Sequence, residues 1–283
     1  MTAGEDGVLT PATTLDRHQY ELEVEDGFEA PELDRRLWLP YYLPHWSSRA
    51  AAAARYEVGK GQLRLWVEPD QPPWCPEFDP DVRVSSVQTG LFAGPVGSMI
   101  GQHRFREGLV VREAQPNVAL YTPQDGLIEI CARATDERGA MVAGWMIGVE
   151  DVPEHSAEIC IFEIFGRDVG AGEARIGMGL HPFGDPAIRD DFVRPTLPID
   201  AREPHWYAAE WTIDGVRFYV DDQLVNVVGQ SPAYPMQLML GVYRFNGEAP
   251  ARTAELVVER FRGSRPVAGP EARPPAFRRR PRG

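Results

Sequence analysis

The stretch SAEICIFEIFGRD, residues 156–168, sets two carboxylates, Glu158 and Glu163, among Ile159, Ile161, Phe162, Ile164 and Phe165, with Cys160 between them. A short apolar, β-branched and aromatic run of this kind is a strand with one face in the core. Side chains alternate along a strand, so residues five apart point to opposite faces. A β-bulge adds one residue and restores parity. The expectation is therefore a bulged strand with Glu158, Cys160 and Glu163 on one face and Ile159, Ile161, Phe162 and Ile164 on the other. Two carboxylates over one groove suit glycoside chemistry, in which one acts as nucleophile or base and the other protonates the leaving oxygen. Four effective residues at roughly 3.3 Å put the two backbones about 13 Å apart, whereas a retaining pair needs carboxyl groups about 5 to 5.5 Å apart. Long glutamate arms and strand curvature must close that gap. The blander alternative is that both acids decorate the wet face of an antiparallel strand. Cys160 is a poor nucleophile here, because flanking carboxylates oppose thiolate formation.

The rest of the chain has to position that strand. Its 26 prolines and 27 glycines in 283 residues imply many turns and few long helices. Short runs such as GQLRLWVEP, GLIEICARAT and AELVVERFRG, broken by turn residues, have the spacing of a β-sandwich or barrel. In WYAAEWTIDGVRFYVDDQLV, Asp214-Gly215 reads as a two-residue hairpin turn and Asp221-Asp222 as a second. Only SSRAAAARYEV has helix-forming composition, and it is short and isolated. The expected organisation is a loose segment over residues 1–19, one β-sandwich domain over 20–263, and a disordered tail over 264–283. That tail holds five prolines, six arginines and one acid, so it carries a net +5 and leaves the body at −18 against the whole-chain −13.

Composition excludes several partners. A net charge of −13 repels nucleic acid and anionic membranes, while a neutral polymer such as a glycan is indifferent to it. Cys75, Cys131 and Cys160 are odd in number and widely spaced, which reads as free thiols without a disulfide framework. The first residues show no signal-peptide pattern and no run approaches transmembrane length. The expectation is a monomeric cytoplasmic protein, or a secreted one if a leader was removed, with no cofactor.

Residues 158–163, read Glu-Ile-Cys-Ile-Phe-Glu, resemble the Glu-x-Asp-x-x-Glu signature of glycoside hydrolase family 16. Other segments fall in the family's order. VEDGFEAPELDRRLW resembles its opening strand, and DGLIEICARATDERGAMVAGWMIG its edge strand followed by its tryptophan strand. PHWYAAEWTIDGVRFYVDDQLV resembles its long hairpin and AELVVERFRG its closing strand. The resemblance covers residues 20 to 263. It implies an all-β fold, a curved two-sheet jelly roll of the concanavalin A type, and a retaining hydrolase acting on β-linked glucan or a related saccharide in an open cleft. By position it implies Glu158 as nucleophile, Glu163 as acid/base, His181 as the family's histidine on a neighbouring strand and Trp145 as its sugar-stacking tryptophan.

Cys160 departs from the family, which has aspartate there. A thiol is normally neutral near pH 7 and a weak hydrogen-bond donor, so weakened catalysis or a lower pH optimum is expected. A carbohydrate-binding protein on the same fold is the competing reading. Sugars lie on aromatic faces, which makes Trp145, Trp46, Trp74 and Tyr243 the cleft candidates and leaves Trp38 and Trp211 to the core. Glu259 stands where the family often has an aspartate near a structural calcium, but one carboxylate makes no calcium site.

Overall fold

A computed structural model describes residues 14–245 and 252–267 of the chain. In chain order the strands are β1 (Tyr20–Asp26), β2 (Tyr56–Gly59), β3 (Gln62–Val67), β4 (Val82–Gln88), β5 (Gly90–Leu91) and β6 (Val118–Ala119). They continue with β7 (Gly126–Arg133), β8 (Ala140–Gly148), β9 (Glu158–Phe165), β10 (Ala174–Arg175), β11 (Gly177–His181) and β12 (Asp191–Val193). The last six are β13 (Thr196–Leu197), β14 (His205–Thr212), β15 (Gly215–Val220), β16 (Gln223–Val228), β17 (Met236–Phe245) and β18 (Ala254–Pro266).

Two antiparallel sheets pack face to face. The outer one runs β16-β15-β14-β7-β18-β3-β2, with β1 paired along the later half of β18. The inner one runs β12-β11-β9-β8-β17-β4. Alternating residues of both sheets fill the space between, including Ile128, Ile130, Val142, Met146, Ile159, Ile161, Phe162, Ile164, Leu238, Leu240 and Phe261. Burying each large side chain of this set is worth roughly 1.5–3 kcal/mol. Trp38 and Trp211 lie in this core, as their sequence context implied. A second apolar cluster sits on the other face of the inner sheet, where loops over residues 37–54, 72–80 and 89–115 fold across one half of it. The curved two-sheet jelly roll is thus present, but its concave face is partly roofed.

Four expectations need correction. The segment resembling an edge strand, β7, lies in the middle of the outer sheet, because β14 and β18 occupy both of its hydrogen-bonding edges. The first hairpin turn is Ile213-Asp214, with Gly215 paired to Thr212. Gly215 has φ +150° and an added Cβ would meet the Val228 carbonyl oxygen at 2.3 Å, so its glycine identity serves the start of β15. Asp221-Asp222 is the second turn, both residues at positive φ as a tight two-residue hairpin requires. Within the segment expected to be loose, Thr14 bridges Gln223 and Leu15 is buried. Finally, β18 continues through Ser264 to Pro266, because β1 and β7 pair with it on both sides; the tail residues after Val267 lie outside the described ones. Among the described residues no helix is long and apolar enough to cross a membrane.

Candidate active site

The bulge lies where parity required it. Against β8, Gly144 pairs with Phe162 while the next residue, Trp145, pairs with Cys160, so Ile161 is extra. Against β11, Gly177 pairs with Glu163 and Gly179 with Cys160, again one residue longer on β9. Two consecutive side chains, Ile161 and Phe162, therefore both enter the core. The room comes from Gly144, where a Cβ would lie 2.5 Å from the Phe162 ring and 2.9 Å from Ile130. Opposite the bulge Gly179 holds φ +146°, a conformation open mainly to glycine.

Glu158, Cys160 and Glu163 consequently line one cavity of about 620 Å³ with Trp145, Trp74, Tyr243, His181, His103, Tyr42 and Phe183. Rows across the sheet set its floor. Glu163 lies between Ala143 and Gly177, Cys160 between Trp145 and Gly179, and Glu158 between Ile147 and His181. Small residues beside Glu163 leave its carboxyl approachable from above, whereas Glu158 is 8% exposed at the bottom. An adjoining cavity of about 730 Å³ is walled by Met99, Ile100, Arg104, Glu150 and Ser156 and shares His103 and Phe183 with the first. The two make one elongated groove.

The electrostatics separate the two acids. Burial pushes Glu158 well above the ordinary carboxylate range, and the charges of Glu163 and Glu150 push it the same way. Burial also raises Glu163, but the Arg194 guanidinium, which ion-pairs with it, pulls it back, as do His181 and Arg167. Because the charge of Glu163 helps to raise Glu158, the two carboxyls titrate as a coupled pair. Cys160 is held neutral by burial and by both glutamates, in line with the argument against a thiolate nucleophile.

Of the other residues singled out from sequence, His181 lines the cavity with its Nδ1 2.6 Å from Asp190 Oδ1, and it stacks on Phe192. Trp145 donates its indole N–H to the Tyr243 hydroxyl at 3.0 Å, which fixes both rings in the wall. Trp74 reaches the cavity and donates to Asp79 at 2.8 Å. Trp46 does not reach it. That ring is fully buried beneath the roof and donates to the Gln102 carbonyl at 2.8 Å, so it props up the loop. Glu259 sits 3.4 Å from Arg133, and no cluster of potential metal ligands occurs among the described residues.

Sequence reasoning missed His103, Glu150, Phe183 and Arg194. They come from irregular loops, where no periodicity announces a face. The one usable signal for His103 was its company, Gly101-Gln102-His103-Arg104-Phe105, a polar and aromatic group between turn residues. His103, Glu150 and Phe183 all hold positive φ (51°, 59° and 45°), which is uncommon without glycine and clusters at functional sites.

Comparison with known proteins agrees with this geometry. Residues 123–258 match the model of glycosyl hydrolases family 16. A comparison with curated protein sequences finds no match. Among solved structures, the GlcNAcα1-4Gal releasing endo-β-galactosidase from Clostridium perfringens is 28% identical with a TM-score of 0.77, over 92% of this chain and 66% of that one. The chain thus spans just under two thirds of that galactosidase. The laminarinase catalytic domain from Thermotoga maritima is 16% identical with a TM-score of 0.59, over 88% of this chain and 100% of that one. The laminarinase from Rhodothermus marinus is 19% identical with a TM-score of 0.58, over 88% of this chain and 98% of that one. A jelly roll whose inner sheet carries a bulged strand with two inward glutamates, together with these matches, makes the chain similar to glycosyl hydrolases family 16, whose model it matches over residues 123–258.

Proposed function

We propose that the protein is a retaining endo-glycosidase that cleaves β-linked oligo- or polysaccharide by double displacement, with Glu158 as nucleophile and Glu163 as acid/base. The observation that carries this reading is the bulge at Ile161, which turns two acids of opposite parity to one cavity. In the first step the Glu158 carboxylate attacks the anomeric carbon. The glycosidic C–O bond breaks as Glu163 gives its proton to the departing oxygen, which leaves a glycosyl ester on Glu158. In the second step Glu163, now ionised, takes a proton from water, and that oxygen displaces Glu158 from the anomeric carbon. Two inversions return the original configuration.

The reaction needs Glu163 protonated and Glu158 ionised at the start, the reverse of the order that their surroundings alone set; departure of the proton to the leaving group then leaves Glu163 ionised beside Arg194. Trp145 and Tyr243 present apolar surface to a sugar face. The elongated groove, with Phe183 exposed at the junction of its two cavities, suits a chain of several sugars and hence internal cleavage.

The sugar is open between a β-glucan and a β-galactan, since the two kinds of similar structure act on different polymers. The test is incubation with laminarin, lichenan, agarose, xyloglucan and a β-galactan. Reducing ends and the anomeric proton signal of fresh product are followed for the native protein and Glu158→Gln. The expected result is release of β-configured ends that Glu158→Gln abolishes. Turnover that survives Glu158→Gln would overturn the assignment, and binding without turnover would favour the carbohydrate-binding reading.

A further inference from the structure

Glu158 needs a hydrogen-bond donor that its own strand does not supply. It is 8% exposed, and an ionised carboxylate in such a place persists only with a donor or a cation beside it. The residue between the two glutamates, Cys160, offers a weak S–H donor. The groups facing Glu158 are Glu163 and Cys160 on β9, His181 on β11, Trp145 and Ile147 on β8, Glu150 on the loop after β8, Tyr42 from the N-terminal loops and Tyr243 on β17. Tyr243 is engaged by Trp145, and the Nδ1 of His181 by Asp190.

His103 is different. Its Nδ1 lies 3.6 Å from Glu158 Oε1. That nitrogen is buried and has no hydrogen-bond partner. The ring is wedged between Trp145 and Phe183, with centroids 5.1 and 4.6 Å away. Its backbone, at φ 51°, donates its N–H to buried Glu150 at 2.5 Å. A strained residue pinned by a buried acid, with an unsatisfied nitrogen directed at a carboxylate, is a built arrangement. The gap exceeds a hydrogen bond by a few tenths of an ångström, the sort of looseness that closes in a substrate complex.

We infer that His103 is a positioning residue for Glu158, donating from Nδ1 the hydrogen bond that Cys160 cannot. The inference rests on Glu158 being the nucleophile of the reading above. In the neutral ring the proton then sits on Nδ1, and it stays there while Glu158 attacks.

The test uses His103→Ala, His103→Asn and Cys160→Asp, alone and combined, on the substrate found active above. Asparagine keeps a donor near the Nδ1 position and tolerates positive φ. A hydrogen bond to a charged group predicts that His103→Ala lowers kcat about 10- to 100-fold with KM changed little, and that the acidic limb of kcat/KM moves to higher pH. His103→Asn should recover most of kcat. In the Cys160→Asp background the loss from His103→Ala should shrink, because the new carboxyl can take over as donor. A merely structural role would leave the acidic limb in place and give the same loss in both backgrounds, which would overturn the inference. A second readout needs no substrate: the side-chain carboxyl carbon signal of Glu158, assigned by its absence in Glu158→Gln, is titrated by NMR. Its midpoint should rise in His103→Ala, and an unmoved midpoint would overturn the inference even if Glu158 proves not to be the nucleophile.

Discussion

Replacing Glu150 with glutamine tests whether the base of the groove is as dry as its geometry implies. Glu150 is 7% exposed and accepts the His103 N–H. Burial pushes its carboxyl from 4.5 up to about 8, with that N–H offsetting part of the effect. The sign follows from proton counts. Between those two values the folded protein keeps a proton that the unfolded chain has released, so stability is full below about 4.5 and falls as pH rises towards 8. Linkage with these values gives a loss of about 3.5 kcal/mol between pH 5 and pH 8 from this one group, a few tenths of it below pH 5.5. Glutamine keeps the carbonyl that accepts the His103 N–H and removes the titration. Glu163, also raised, tilts stability in the same direction in both proteins and cancels, whereas Glu158, which the Glu150 charge helps to raise, is raised less in the variant and so adds to the difference. His45 and His103, which burial lowers to about 3 and about 4, work the other way, gaining stability as pH rises to the ordinary histidine value; they cancel too. The assay is urea unfolding of the native protein and Glu150→Gln at pH 5 and pH 8. The native protein should lose about 3 to 4 kcal/mol more than the variant over that interval. Parallel losses in the two proteins would refute the burial of an ionisable carboxyl beneath His103.

Two other outcomes are open to measurement. Arg194→Met removes the guanidinium that holds Glu163 down against burial, so the acid stays protonated to higher pH and the alkaline limb of kcat/KM moves upward; a limb that stays put would show that the ion pair does not govern the acid. Phe162→Ala empties the space the bulge fills above Gly144 and should cost about 3–5 kcal/mol in urea unfolding, whereas a loss below about 1 kcal/mol would mean that the ring is not wedged between the sheets.

The fold and the catalytic strand were legible because both rest on short-range physics. Alternation of apolar and polar residues placed β9, β14, β15 and β18, and the odd spacing of Glu158 and Glu163 demanded a bulge that the pairing with β8 and β11 supplies. Trp145 was placed in the cleft by the family resemblance and Tyr243 by its aromatic type, and the strands that carry them turn both to the cavity. Sheet membership was not readable. β7 looked like an edge because edges are defined by partners, and its partners β14 and β18 lie far along the chain. Turn position slipped by one residue at Ile213-Asp214 because a glycine can serve the turn or the residue after it.

The amino-acid sequence by itself determined the sandwich, the acidic pair and the departure at Cys160, all features carried by neighbours within a few residues. Only the tertiary structure decided what surrounds that pair. His103, Glu150 and Arg194 approach Glu158 and Glu163 from loops with no repeating pattern, and Trp46 was withdrawn from the groove by the same loops that deliver His103. The environment that sets the charge of a buried carboxylate is assembled from residues distant in sequence, which is why local patterning locates the two acids and long-range packing fixes their protonation.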